Sequence, residues 1–368
     1  MPTLPADPDI AYRLEQSVRS RHKLERLREV LTTPGHFGTG ASPHVVVHED
    51  NKLRLLRLVD DSGQPRTGPA VLFISAPVSR YFVLDLLPGR SFVGHVGDAG
   101  FDVFLIDFGE PDQADRFADL DYYVNGLIRR CVGRITTLTG DSAPSVIGYC
   151  LGGTLALLYT ALYPESVSRL ALLTTTIDGD VKGGIGWTAH CLGLPGESFD
   201  NPRLVPATDI KSWFEMLTPG SSSVIGRTND LWQRLDQPVE RLRDIRTMAT
   251  WVDDVVPASG RMLAELSREF GPGRNGLINH TARVGDQPID LDRLTMPVLS
   301  VSAEKDTIAP PEGVDALIRV VSHAEIVRLP GGHVGIVAGR TAKTLWSRTI
   351  DFLRAPRNAE TTQTIGSR

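Results

Sequence analysis

Short apolar runs alternate with helical patterns over most of the chain. Val45-Val46-Val47 and Leu53-Arg54-Leu55-Leu56-Arg57-Leu58 predict paired strands that open a sheet. Ala70-Val71-Leu72-Phe73-Ile74 and Phe101 to Asp107 predict buried strands, as do Val146-Ile147, Val167 to Leu173, Pro297 to Val301 and Glu325 to Leu329. Helical patterns run from Leu120 to Leu138 and from Thr341 to Leu353. This alternation predicts an α/β fold with a mostly parallel, doubly wound sheet. Near the start, Ile10, Leu14, Val18, Leu24, Leu27 and Leu31 fall mostly at helical spacing. They predict an amphipathic helix, packed on the flank or offered to a partner or an apolar particle.

Between Ile177 and Leu294 the alternation stops, and no run has the character of a central strand. A stretch of that length is too long for a loop, so an inserted cap over the sheet is expected. The expected organisation of the 368 residues is a helix and linker over 1–41 and a core over 42–176 and 295–355, with a cap over 177–294 and a disordered polar tail over 356–368.

The chemistry concentrates at Gly148-Tyr149-Cys150-Leu151-Gly152-Gly153, directly after an apolar run. A strand breaking sharply into a helix, with the reactive side chain on the break, is a nucleophile elbow, here with cysteine in place of serine. The following helix aims its N–H groups at the thiol, which favours the thiolate. A nucleophilic cysteine needs a base, and the base an orienting acid. Asp306 follows one late strand and His333 the last, in the order nucleophile, acid, histidine; Glu304 is the local competitor of Asp306. The oxyanion donors expected are the backbone N–H groups of Leu151 and, after the strand ending at Ile74, of Val78. Pro77 has no N–H to offer. Cys131 and Cys191 are expected to be structural.

Composition adds mainly exclusions. A formal charge of −5 and no basic stripe argue against nucleic-acid binding. Three cysteines without paired spacing argue against disulfides or a zinc site and fit a reducing cytoplasm. No signal peptide and no membrane-length apolar run is evident.

The elbow hexapeptide also occurs in dienelactone hydrolases. Other stretches, however, resemble the polyhydroxyalkanoate synthases: Val103 to Arg116, Leu120-Asp121-Tyr122-Tyr123-Val124-Asn125-Gly126, Ser79-Arg80-Tyr81, Trp251-x-x-Asp254, and Gly331-Gly332-His333-Val334-Gly335-Ile336. The resemblance extends from about Ser42 to the final helix, and the length is similar to the catalytic subunit of the short, two-component (class III-like) synthases. Departures are Leu151 where the family more often has Gln, and Thr176-Ile177-Asp178-Gly179 in place of an aromatic-ended segment.

The resemblance implies the α/β-hydrolase fold and an acyltransferase that polymerises (R)-3-hydroxyacyl-CoA with release of CoA, through an acyl-Cys150 intermediate. His333 acts as base, and Asp306 orients it or assists the substrate hydroxyl directly. Trp251 and Asp254 are candidate cap or substrate residues. No metal and no cofactor beyond the coenzyme A thioester itself are implied. The partners implied are a second, smaller subunit, further copies of the chain and the surface of a cytoplasmic polyester granule. The alternatives are a cysteine-dependent ester or dienelactone-type hydrolase and a catalytically silent granule protein.

Overall fold

The computed structural model describes residues 8–32, 40–140, 142–191, 193, 202–218, 232–339 and 341–356. The polar tail beyond 356 and most of the linker before residue 40 lie outside these. One eight-stranded sheet organises the chain: β1 (His44–Asp50), β2 (Leu53–Leu58), β3 (Ala70–Ile74), β4 (Asp102–Asp107), β5 (Ser145–Tyr149), β6 (Arg169–Leu173), β7 (Val298–Ala303) and β8 (Glu325–Leu329). Their spatial order is β1-β2-β4-β3-β5-β6-β7-β8. β2 pairs antiparallel with both neighbours, and every pairing from β4 to β8 is parallel. This is the α/β-hydrolase fold.

The continuous apolar runs are explained by burial on both faces of the parallel strands. Successive side chains point to opposite faces. Leu72, Ile74, Val146, Leu170 and Leu172 therefore pack with the helices α3 (Arg129–Thr139) and α4 (Leu151–Leu162). Val71, Phe73, Ile147, Ala171, Leu173 and Val301 pack on the other side, against α2 (Phe92–Asp98) and the last helix (Ala342–Arg354). There Phe92 stacks on Trp346 with ring centroids 5.9 Å apart.

Two helical expectations are modified. The pattern from Leu120 is not one α-helix: Tyr122–Ile128 winds in wider π-type turns before α3 begins, carrying Tyr123 against Phe108. The first helix, α1 (Pro8–Thr32), lacks a single apolar face. Val18 and Leu24 stand 69% and 57% exposed, while Leu27 packs against Leu235 and Leu242. The apolar spacing drifts around the helix, so polar side chains do much of the docking. Lys23 donates to the Trp232 carbonyl at 3.3 Å and approaches Asp236 at 3.7 Å, and Arg26 donates to the carbonyls of Leu235 and Gln237.

Between β6 and β7 the chain contributes no strand to the main sheet among the described residues. This insertion holds α5 (Ile185–Cys191), α6 (Ala207–Leu217), α7 (Val239–Asp253) and α8 (Gly260–Phe270). Its beginning and end are joined by Asn275, which is buried with φ 44°. The Asn275 amide donates to Asp178 at 2.7 Å and accepts from the Gly179 N–H at 3.0 Å. Asp178 also pairs with Arg319 at 2.6 Å. The Thr176-Ile177-Asp178-Gly179 segment is therefore an anchor for the insertion built from hydrogen bonds.

Candidate active site

β5 stops at Tyr149, and Cys150 turns the chain into α4 with φ 56° and ψ −126°. A non-glycine residue in this region costs about 1–3 kcal/mol and persists only where its surroundings over-determine it. Here they do: the Cys150 N–H donates to Leu173 O at 2.9 Å, and its carbonyl accepts from the Gly153 and Thr154 N–H groups and, at 3.4 Å, from the Thr175 hydroxyl. Two glycines make the turn possible by close approach. A Cβ at Gly148 would lie 2.4 Å from Gly153 Cα, and one at Gly152 would lie 2.3 Å from the Ile74 carbonyl oxygen.

The loops after β7 and β8 bring Asp306 and His333 to this elbow. Backbone bonds from Glu304 N–H to Leu329 O (3.0 Å) and from Lys305 N–H to Gly331 O (2.8 Å) zip the two loops together. His333 Nδ1 and Asp306 Oδ2 are 2.7 Å apart, both residues buried. The other oxygen, Oδ1, accepts from the Ile308 and Ala309 N–H groups at 2.9 Å. Glu304 is exposed and does not meet the ring. Burial works against protonating His333. The adjacent Cys150 sulfur and the Asp306 carboxylate outweigh it and push the imidazole pKa up to about 10. A thiol, an imidazole and a carboxylate in this sequence are the groups with which a proton can be taken from sulfur and held as the sulfur attacks.

Tyr149 is a site residue that sequence reasoning missed. Its hydroxyl donates to the His333 carbonyl at 3.2 Å, and its ring lies 5.4 Å from the imidazole, centroid to centroid. The side chain is fully buried, which raises its hydroxyl pKa well above the usual phenol range. The only sequence signal for it was its place beside the nucleophile. By contrast, Cys131 is buried in α3, where burial pushes its thiol up to about 12, and Cys191 is exposed on α5.

Cys150, His333 and Tyr149 face a cavity of about 490 Å³ between the sheet and the insertion. Cys150, His333, Tyr149 and Val78 line the sheet side, and Phe214, Met248, Trp251 and Val252 the insertion side. Leu151 opens α4, so its N–H lies in the first turn, where no intrahelical carbonyl is available. Trp251 lines the cavity and also donates its indole N–H to Arg80 O at 2.9 Å. Asp254 does not line it; its carboxylate lies 3.2 Å from Arg80 Nε. Among the described residues no cluster of His, Cys, Asp or Glu is placed to hold a metal ion, and no helix is long and apolar enough to cross a membrane.

Residues 87–188 match the alpha/beta hydrolase fold family. The chain is 32% identical over 328 residues to the poly(3-hydroxyalkanoate) polymerase subunit PhaC of Allochromatium vinosum, covering 87% of this chain and 91% of that protein. Identity to the same subunit of Thiocystis violacea is 30%, with 87% and 90% covered. To that of Haloferax mediterranei it is 29%, with 91% and 68% covered. With this similarity running through nearly the full length of two relatives, on an α/β-hydrolase sheet, the chain belongs to the poly(3-hydroxyalkanoate) polymerase subunit PhaC family.

Proposed function

We propose that this chain is an acyltransferase that polymerises (R)-3-hydroxyacyl-CoA, with Cys150 as nucleophile, His333 as base and Asp306 as the acid that orients it. The reading is carried by one observation: in a chain of this family, Cys150 and His333 line one cavity, and the buried Asp306 carboxylate holds the imidazole from behind at 2.7 Å. In the first step the Cys150 sulfur attacks the thioester carbonyl, the C–S bond to CoA breaks, and the proton held by His333 passes to the departing CoA thiolate. One thioester replaces another, so the acyl group stays activated. In the second step the 3-hydroxyl of another unit attacks the acyl-Cys150 carbonyl. His333 takes the hydroxyl proton, the ester bond forms, and the sulfur is released. Leu151 and Val78 N–H groups receive the oxyanion of each tetrahedral intermediate.

The mostly apolar lining of the cavity, with Lys211 and Glu215 as charged residues on the insertion side, supports this reading, since transfer must outrun hydrolysis and a water-poor site favours it. The protein needs no cofactor beyond the substrate's own CoA. A second, smaller subunit, self-association and a place at a cytoplasmic polyester granule belong to the same proposal. Incubating the purified chain with 3-hydroxybutyryl-CoA, with and without a candidate second subunit, tests it. CoA release together with insoluble polymer is the expected result. CoA release with only free hydroxy acid would instead establish a hydrolase, and no release under either condition would refute both.

A further inference from the structure

Resting on the assignment of the Val78 amide to the oxyanion site, we propose that Arg80 is a positioning residue that straps the loop after β3 to the insertion. The Val78 N–H is thereby aimed at Cys150 only while the insertion is seated. Two stretches far apart in the sequence, Ser79-Arg80-Tyr81 and Trp251-x-x-Asp254, meet here. Ser79 and Val255 form an antiparallel bridge, and the Val256 N–H donates to the Val78 carbonyl at 3.4 Å. The Arg80 carbonyl accepts the Trp251 indole N–H at 2.9 Å. Its guanidinium reaches Asp254 at 3.2 Å and Glu110 at 2.7 Å. Glu110 follows β4, so Arg80 joins the core, the oxyanion loop and the insertion at one point.

The loop needs such a strap. The bonds from Ser79 N–H to Ala76 O and from Val256 N–H to Val78 O are both long, at 3.3 and 3.4 Å, and Pro77 contributes no donor. The tightest ties on the loop are therefore the Trp251 bond to the Arg80 carbonyl and the Arg80 ion pairs. The insertion thus supplies the contacts that orient the peptide groups on either side of Ser79. The same insertion residues wall the cavity, so admitting substrate by moving them breaks these contacts. An open site then holds an acyl-cysteine whose carbonyl lacks one oxyanion donor while water has access. Hydrolysis is disarmed at the moment it would otherwise be easiest.

The test compares full-length Arg80→Ala, Arg80→Lys and Val78→Pro with the wild type. CoA release from 3-hydroxybutyryl-CoA gives kcat and KM, and iodoacetamide alkylation of Cys150 gives a reaction that uses no oxyanion hole. Arg80→Ala should lower kcat about tenfold, the scale of a misplaced rather than deleted donor, with KM within about twofold. Its alkylation rate and the pH profile of that rate should match the wild type, and Arg80→Lys should recover part of the loss. If Val78→Pro loses activity while Arg80→Ala keeps its kcat, the strap is refuted and the oxyanion assignment stands. If Val78→Pro, with normal alkylation, keeps its kcat, the assignment falls and the strap falls with it. If alkylation drops in step with kcat in Arg80→Ala, the residue serves general folding and the proposal is overturned.

Discussion

The two walls of the cavity share apolar burial but differ in what is added to it. The sheet wall, with the elbow and the loops after β7 and β8, stands on strands whose residues are almost all buried. Burying each large apolar side chain contributes about 1.5–3 kcal/mol, and the strands rest on no single contact. The insertion wall also packs apolar side chains, such as Ile210, Met262 and Leu277, into the sheet core, but its seat beside the site is set by individual polar contacts as well: Asn275 with Asp178, Trp251 with the Arg80 carbonyl, and Arg80 with Asp254. The strands beneath the sheet wall thus share their stability among many contacts, while the elbow glycines and the His333–Asp306 bond set its geometry. The insertion wall is expected to respond more to the loss of single polar contacts.

The sharpest test of that contrast is at the elbow. Cys150→Ser leaves the packing alone, yet it should lower CoA release by about a thousandfold or more, because a serine hydroxyl is far less ionised beside the same base. Retention of most of the activity would remove Cys150 as nucleophile. Asp306→Asn should come next, costing about a hundredfold or more in kcat through loss of the carboxylate that holds the ring.

Asp306→Asn also carries a pH signature. His333 is raised from 6.5 to about 10 in the folded chain. Its protonated ring therefore stabilises the fold fully below about 6.5, and that contribution is lost as pH rises through about 10. The stability gap between wild type and Asp306→Asn, followed by thermal melts, should be widest below pH 6.5 and narrow towards pH 10. A gap that widens with pH would contradict the assigned cause.

On the insertion side, Asn275→Ala leaves Asp178 short of a donor and places alanine at positive φ. About 2–3 kcal/mol of stability should be lost, with cavity access changed more than the sheet core, as read by hydrogen exchange in the insertion. The smallest effect belongs to α1: Val18→Ser at an exposed site should shift stability by less than about 0.5 kcal/mol. A larger shift would mean that Val18 is covered by something in solution.

The same contrast decides what could be read from the sequence. Ala70 to Ile74 or Val103 to Ile106 announce themselves because strands buried on both faces read as nearly continuous apolar runs. The elbow is legible because Gly148 and Gly152 stand where no Cβ fits, and Asp306 and His333 because each sits on a loop after a late strand. The insertion offers no such grammar. Nothing in the spacing of Arg80 and Trp251 foretells their bond, and Asp254, expected near substrate, spends its charge on Arg80. Tyr149 was hidden for the same reason: its partner is a main-chain carbonyl far along the chain. In α1 the apolar spacing misled because its register drifts, leaving Arg26 and Lys23 to make the polar contacts with the segment before α7.

That bond from Tyr149 to the His333 carbonyl has a mechanical consequence. The nucleophile hangs from the last residue of β5, and the base hangs from a glycine-rich loop at the far side of the sheet. The phenol ties the second to the first, so a displacement of either loads the same bond. The insertion can swing while the sulfur and the imidazole keep their separation, as two tools clamped in one vice.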